Sequence, residues 1–335
     1  MVNKKNFSMK NVLVTGGGGF VGGNFVRLAL SEKLNFKIIV VDKLEGREIS
    51  PPLKELKEEF PERFFFERID LNDKRVSELF DNYQFDYVLH FAAKNPSGKE
   101  MGNPLDFAEI NVERSVRLLE EVRRISKNKQ IRFIHLSSYE VYGTMREESF
   151  TEKSPLMPTT PYAASKASAD LFTFAYHKTY GIEVISTRTT NIYGPYQSED
   201  KFIPMIIKKA LKNEEIRVFG DGEIVRDWIY VDDHNRAVLE LLEKGRSGEV
   251  YHIGANNPKS QKEVIKEVLK NLSSILQKDL RELECLVKYE KGREAEDKKR
   301  KLEVLKIERE ISFKPMLSFE DGIRKTVEFF CENLK

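Results

Sequence analysis

A mostly apolar, β-branched run, Asn11-Val12-Leu13-Val14-Thr15, leads directly into Gly16-Gly17-Gly18-Gly19-Phe20-Val21-Gly22, and a helical stretch, Asn24–Leu30, follows. No other feature restricts the possible folds so strongly. Glycines at 16, 19 and 22 have the spacing GxxGxxG. A strand, a tight turn and a helix N-terminus in that order can bring bare backbone against a pyrophosphate. Gly16, Gly19, Phe20, Val21 and Gly22 are therefore candidate cofactor contacts. A second apolar run, Lys37–Val41, ends on Asp42, 20 residues past Gly22, where a carboxylate can accept from a ribose 2′-hydroxyl. No arginine follows Asp42 immediately, which favours NAD over NADP; Lys43 is a further candidate contact.

Strands and helices continue to alternate. Phe64–Arg68 reads as a strand closing near Asp70 and Leu71, candidates for the adenine end of the cofactor, and Lys74–Asp81 as a helix. Tyr87–Phe91 is a strand running into Ala92-Ala93, small residues that let a cofactor lie close. His90 lies inside that apolar strand and reads as a satisfied core histidine. Pro104–Ser126 reads as one long helix with apolar positions at Val112, Val116, Leu119 and Val122. Ile131–Leu136 is another strand, and Ser137 marks its carboxyl end. The alternation predicts an α/β fold, a doubly wound parallel sheet with right-handed crossovers. Ligands of such sheets bind outside the carboxyl ends of the strands, which places Ser138 and Glu140 beside the cofactor, with Ser137 a further candidate cofactor contact and Tyr139 a candidate catalytic residue.

Tyr162-Ala163-Ala164-Ser165-Lys166 opens a further helix, and residues four apart share a helix face. Tyr162 and Lys166 can then enter one pocket. A nearby ammonium pulls a tyrosine pKa down from about 10. The pair is thus a candidate base for an alcohol proton.

From about Thr189 the alternation loosens. Ile203–Leu211, a stretch from Val231 to Leu242, Ser260–Leu276 and Ser318–Asn333 read as helices. Ile216–Phe219 and Glu249–Gly254 read as strands. Arginines and aromatics on the connecting loops suit a phosphorylated ligand carrying a base. The expected division is a cofactor domain over residues 1–188 and, over 189–335, mainly a substrate lobe with some segments returning to the first sheet.

The 335 residues are 33% charged with a net charge of +2, and charges of both signs are interspersed. That composition points away from nucleic acid and membrane surfaces. No segment reaches the roughly 18 apolar residues of a membrane span, and Met1–Lys10 lacks the apolar core of a secretory signal. The two cysteines, Cys285 and Cys331, have no metal-ligand spacing. The expectation is a cytoplasmic protein without a bound metal.

With the glycine loop, Ser138, Tyr162/Lys166, Asn191-Ile192-Tyr193-Gly194-Pro195 and Arg226-Asp227-Trp228 in order, nearly the whole chain resembles the extended short-chain dehydrogenase/reductases that act on nucleotide sugars. The resemblance implies tightly held NAD, transient oxidation at sugar C4, and a homodimer through the helices near 104–126 and 162–180. It also implies residue roles. Tyr162 would take the C4 hydroxyl proton, and Lys166 would hold the nicotinamide ribose and lower the tyrosine pKa. Ser138 would bond the C4 oxygen. Asn191 and Arg226 would contact the diphosphate, and Phe219 the nucleobase. Arg293 and Asp297 would meet phosphate and ribose, with Lys94 and Lys201 as further substrate contacts.

The second half is most similar to the dTDP-glucose 4,6-dehydratases, through Gly194–Gln197, Lys201–Pro204 and Arg226–His234. Glu140 fits their C5 base. Two features depart from that pattern: Tyr139 stands where those enzymes carry an acidic Asp, and Lys94–Lys99 replaces their usual loop. The alternatives left open are a 4-epimerase, a UDP-glucuronate-type decarboxylase needing a cation such as Lys94 or Lys99, a 5,6-dehydratase, and a non-catalytic NAD-binding sensor.

Overall fold

The strands of the main sheet are runs of β-branched, aliphatic and aromatic residues, as a parallel sheet covered on both faces requires. The computed structural model describes residues 9–32, 34–46, 49, 51–96, 102–145, 148–290 and 300–334. In chain order the strands are β1 (Lys10–Thr15), β2 (Phe36–Val41), β3 (Phe64–Glu67), β4 (Tyr87–His90), β5 (Arg132–Ser138), β6 (Glu183–Thr189), β7 (Asn191–Tyr193), β8 (Ile216–Phe219), β9 (Val225–Tyr230), β10 (Glu249–Ile253), β11 (Pro258–Ser260) and β12 (Val287–Glu290). Seven of them form one sheet in the order β10-β6-β5-β4-β1-β2-β3. Every pairing in it is parallel. This is the Rossmann-type, doubly wound α/β fold the sequence predicts. Strand order reverses between β1 and β4, so their carboxyl ends open a crevice. The glycine loop leaves β1 there, and Ala92-Ala93 leaves β4.

The remaining strands build the second lobe. β7, β9 and β11 form a three-stranded sheet, and β8 and β12 a two-stranded one. A separate core, including Ile206, Ile207, Val264, Leu269, Ile323 and Val327, holds this lobe together. β10 follows β9 in the chain yet returns to the main sheet beside β6. Two side-chain amides tie the lobe to the first helix, Phe20–Ser31. Asn24 Nδ2 donates to Pro195 O at 3.0 Å, and Asn235 Nδ2 to Val21 O at 3.2 Å.

Local chemistry sets the ends of the helix Pro161–Tyr180. Thr160 Oγ1 accepts from Ala163 N at 3.1 Å, Pro161 occupies the first helical position, and Gly181 ends the helix at φ 70°. The predicted helix over 104–126 is not continuous. It comprises Pro104–Phe107, a π-helical turn Ala108–Glu113, and Arg114–Ile125. The wide turn carries Asn111, whose Oδ1 accepts from Lys94 N at 2.7 Å and whose Nδ2 donates to Lys94 O and Ser165 Oγ. Asn111 thereby pins the segment after β4 to the Tyr162 helix; π turns gather at such functional places. His90 is the satisfied core histidine expected, with Thr15 Oγ1 at 2.7 Å and Ser115 Oγ at 2.8 Å from its two ring nitrogens.

A buried polar chain locks the Tyr162 helix to the sheet. Arg188 Nε donates to Asp170 Oδ2 at 2.9 Å, and Ser186 Oγ donates to the other carboxylate oxygen. Arg188 Nη1 donates to Tyr142 Oη at 2.7 Å, and Tyr142 Oη lies 2.6 Å from His252 Nε2. His252 Nδ1 meets Glu303 O at 2.8 Å, so the ring proton sits on Nδ1. Burial brings His252 down to about 3, which keeps it neutral as the acceptor of the tyrosine proton. Removing one partner of a fully buried pair strands the other charge. Asp170→Ala should therefore cost about 3–5 kcal/mol of stability by urea unfolding. A loss below about 1 kcal/mol would show that the pair contributes little.

Candidate active site

The cofactor half of the site is built on bare backbone. Gly16 has φ +70°, and a Cβ there would lie 2.5 Å from Ala92 N. A Cβ on Gly22 would lie 2.5 Å from Gly16 O. Larger residues at either position would push the loop off the strand ends. Gly19 caps the helix Phe20–Ser31 without a side-chain hydrogen bond, so the first-turn amides of Phe20, Val21 and Gly22 face the crevice as donors for an anion. Asp42 sits at the end of β2, where its Oδ2 accepts from Gly18 N at 2.9 Å and its Oδ1 from Leu44 N at 2.7 Å. Each carboxylate oxygen keeps a further lone pair for a ribose hydroxyl. Ser137 Oγ, at the end of β5, is buried and has no hydrogen-bond partner among the described residues. The glycine cradle, the acid and the orphaned hydroxyl fit NAD.

Other sequence-selected residues on this side have protein partners. Lys43 Nζ lies 3.1 Å from Glu45 Oε1, and Lys94 Nζ 3.4 Å from Glu45 Oε2. One glutamate thus engages both lysines, and Lys94 stands with the loop after β2. Asp70 Oδ2 pairs with Arg114 Nη1 at 2.9 Å, and Leu71 packs against the core under that strand end. The Phe91 ring turns inward onto Phe25, 5.4 Å between centroids, while the Ala92 backbone meets the glycine loop.

The reactive half gathers at the end of β5. Ser138 caps the short turn Tyr139–Tyr142, and its Oγ accepts from Glu140 N at 3.2 Å. That turn places Glu140 and Tyr139 where both raise the proton affinity of Tyr162. Burial is the larger cause of the same upward shift, and the hydrogen-bonding Ser138 hydroxyl opposes it. Lys166 is not among the groups that shift Tyr162. The Lys166 ammonium donates to Leu136 O, and it does not offset the cost of burying a phenolate beside a carboxylate. Burial also brings Lys166 down to about 8, with Asp170 pulling back.

Tyr139 is buried, and its Oη donates to Asn191 Oδ1 at 2.9 Å. Asn191 keeps its amide donors for an acceptor such as a phosphate oxygen. Glu140 is partly buried. Desolvation raises its pKa, and Arg300, Arg226 and Lys201 oppose that rise in this order. Lys201 Nζ also donates to Pro96 O at 2.6 Å. Arg226 Nη1 donates to Val225 O at 2.8 Å from β9. Phe219 ends β8, opposite Glu290 of β12. Arg293 and Asp297 lie outside the described residues, as does Lys99. Two site residues escaped the sequence reading. Asn111 is signalled only by an amide on the buried side of a helix. Arg300 is one of many cations in a basic run, so nothing in its neighbourhood singles it out.

The sequence model of the family described as GDP-mannose 4,6 dehydratase matches residues 13–326. A dTDP-glucose 4,6-dehydratase of Haemophilus influenzae is 36% identical over 97% of this chain and 99% of its own length. The crystal structure of dTDP-glucose 4,6-dehydratase from Bacillus anthracis in complex with NAD superposes with a TM-score of 0.84 at 34% identity, covering 97% of each chain. UDP-glucose 4-epimerase from Thermotoga maritima, solved with UDP-glucose, has a TM-score of 0.82 at 28% identity over 97% of this chain and 100% of that one. The chain belongs to the GDP-mannose 4,6-dehydratase family and is an NAD-dependent nucleotide-sugar dehydratase by fold, cofactor cradle and full-length similarity.

Proposed function

We propose that the protein converts a dTDP-hexose to its 4-keto-6-deoxy product, with Tyr162, Ser138 and Glu140 as the reacting side chains. Glu140 carries the reading, because a carboxylate facing Tyr162 is needed for elimination and has no task in epimerisation. The full-length similarity to dTDP-glucose 4,6-dehydratases supports the thymidine nucleotide.

NAD, when bound, accepts hydride from sugar C4 and returns it to C6. Tyr162 takes the C4 hydroxyl proton, and Ser138 holds the same oxygen. The C4 ketone acidifies the C5 proton, which Glu140 removes. The C6–O bond then breaks as the C5=C6 bond forms. The Glu140 carboxyl, now protonated, returns that proton to the leaving oxygen, which departs as water, and C5 takes up a proton from solvent as hydride is returned to C6. Tyr139 is directed elsewhere, since its hydroxyl proton goes to Asn191. Asn191, Arg226 and Lys201 line the side from which the diphosphate enters, and Phe219 the base end. Arg293 and Asp297, by the resemblance, complete the diphosphate and ribose contacts.

A decarboxylase would need a cation for a sugar carboxylate. Lys94 is engaged by Glu45 at 3.4 Å, which weakens its claim, whereas Arg300 beside Glu140 keeps that reading open to test. Two copies of the chain are proposed to pair through the helices near 104–126 and 162–180, which expose Leu105, Leu171, Phe172 and Tyr180. No described helix is long and apolar enough to cross a membrane. The proposed location is the cytoplasm, where nucleotide sugars and NAD meet.

Incubation with dTDP-, UDP-, GDP- and CDP-hexoses and UDP-glucuronate in heavy water should give loss of water and deuterium at C5 from a dTDP-hexose. An isomer of unchanged mass inverted at C4 would assign epimerisation instead, and carbon dioxide from UDP-glucuronate a decarboxylase. Tyr162→Phe should lower turnover about 10²–10⁴-fold with NAD still bound; unchanged turnover would remove Tyr162 as the base. Glu140→Gln should still reduce bound NAD but exchange no deuterium at C5, and normal exchange would refute its role. Leu171→Glu with Phe172→Glu should yield monomers by light scattering if the two helices form the interface; an unaltered dimer would place it elsewhere.

A further inference from the structure

Arg300 reaches the reaction centre from the C-terminal part of the chain, directly ahead of a segment paired to Phe150. Phe150 N donates to Lys301 O at 2.9 Å, and Glu303 N donates to Phe150 O at 2.8 Å. Glu303 O in turn receives the His252 ring proton at the end of the buried polar chain. Leu302 is buried in the small cluster with Tyr139, Val141, Tyr142 and Phe150. The backbone that follows Arg300 is therefore anchored at three successive residues. Its guanidinium lies over the Tyr139 ring, 5.7 Å from the centroid, with Nη1 3.9 Å from Glu140 Oε2. The Arg300 side chain is 13% exposed, which limits solvent screening of the pair.

We propose that Arg300 is a positioning residue for elimination: it holds the Glu140 carboxylate ionised and directed at C5, in a site where Tyr139 occupies the place of a second acid. The inference rests on Glu140 being the C5 base. Glu140 faces Tyr162 from the helix Pro161–Tyr180, Tyr139 on its own turn, Arg226 from β9, Lys201 ahead of the helix Phe202–Leu211, and Arg300. Burial favours the protonated acid, and the three cations favour the carboxylate. Among the cations Arg300 has the largest effect. A base must be ionised before it accepts the C5 proton. Its acidic pH limb therefore reports the balance between burial and the cations. Arg300 keeps its charge throughout this range and does not itself donate the proton.

The test compares Arg300→Met and Arg300→Lys with the unaltered enzyme, following NAD reduction, C5 deuterium exchange and kcat across pH. With Arg300→Met, C4 oxidation should persist. The acidic limb of C5 exchange and of kcat should move up by about one pH unit, the lower end expected for an opposite charge near 4 Å at a partly exposed carboxylate. Below that limb, turnover should fall about tenfold. Arg300→Lys should restore most of the limb position, which a purely structural role of the planar group would not. An unmoved limb in a folded Arg300→Met enzyme that still oxidises C4 would overturn the proposal. So would a raised KM with an unmoved limb, because the charge would then serve the substrate. If Arg300→Met does not fold, the limb of Arg300→Lys decides. A position within a few tenths of a unit of the unaltered enzyme supports a charge role, and a limb moved up by about one unit or more overturns it. Normal C5 exchange in Glu140→Gln would instead remove the underlying assignment of the base.

Discussion

The Asp170–Arg188 pair is the contact on which the site's geometry depends. Asp170 lies one turn beyond Lys166 on the Tyr162 helix, and Arg188 lies on β6. Their fully buried contact, at 2.9 Å, fixes the helix against the sheet at the depth where Tyr162 meets Ser138. Neither charge could remain so deeply buried without the other, since an uncompensated ion in a low-dielectric interior is strongly unfavourable. The pair continues through Tyr142 and His252 to the backbone of Glu303, so one polar chain joins the end of β5, β6, β10 and the C-terminal segment. The Tyr139–Tyr142 turn, the Tyr162 helix and the segment carrying Arg300 share this anchor.

The electrostatics of the site follow from burial. A tyrosine placed beside a carboxylate in a dry pocket resists ionisation, and here both Tyr162 and Glu140 have raised proton affinities. Tyr162 is thus suited to holding its proton until substrate and cofactor arrive. The fixed cations are distributed unevenly around it. Lys166 is held back on Leu136 O, while Arg300, Arg226 and Lys201 face the carboxylate. The protein alone therefore biases Glu140 toward its charged form more strongly than Tyr162. A positively charged nicotinamide ring, when present, would add to the tyrosine side.

The cofactor half was more legible in the sequence than the substrate half. Glycines 16 and 22, Asp42 and Ala92 are placed by local rules: a strand end, a turn and a helix start, each encoded within a few residues. The Tyr162 helix was legible for the same reason, through Thr160, Pro161 and Gly181 at its ends. The second lobe is assembled from short strands distant in the chain, such as β8 with β12, which periodicity cannot pair. The Pro104–Ile125 stretch shows the limit within one element. Its apolar spacing announces a helix, but the π turn arises because Asn111 bonds Lys94 and Ser165, both distant in sequence.

By itself the sequence determined the α/β alternation, the dinucleotide cradle, and the Ser138, Glu140, Tyr162 and Lys166 set, because each rests on periodicity, capping or short spacing. Tertiary structure alone decided the charge environment of that set. It turned Lys43 and Lys94 onto Glu45, directed the Tyr139 hydroxyl to Asn191, and brought Arg300 against Glu140. Proton affinities depend on burial and on cations within a few ångströms, and chain folding, not sequence spacing, sets those distances.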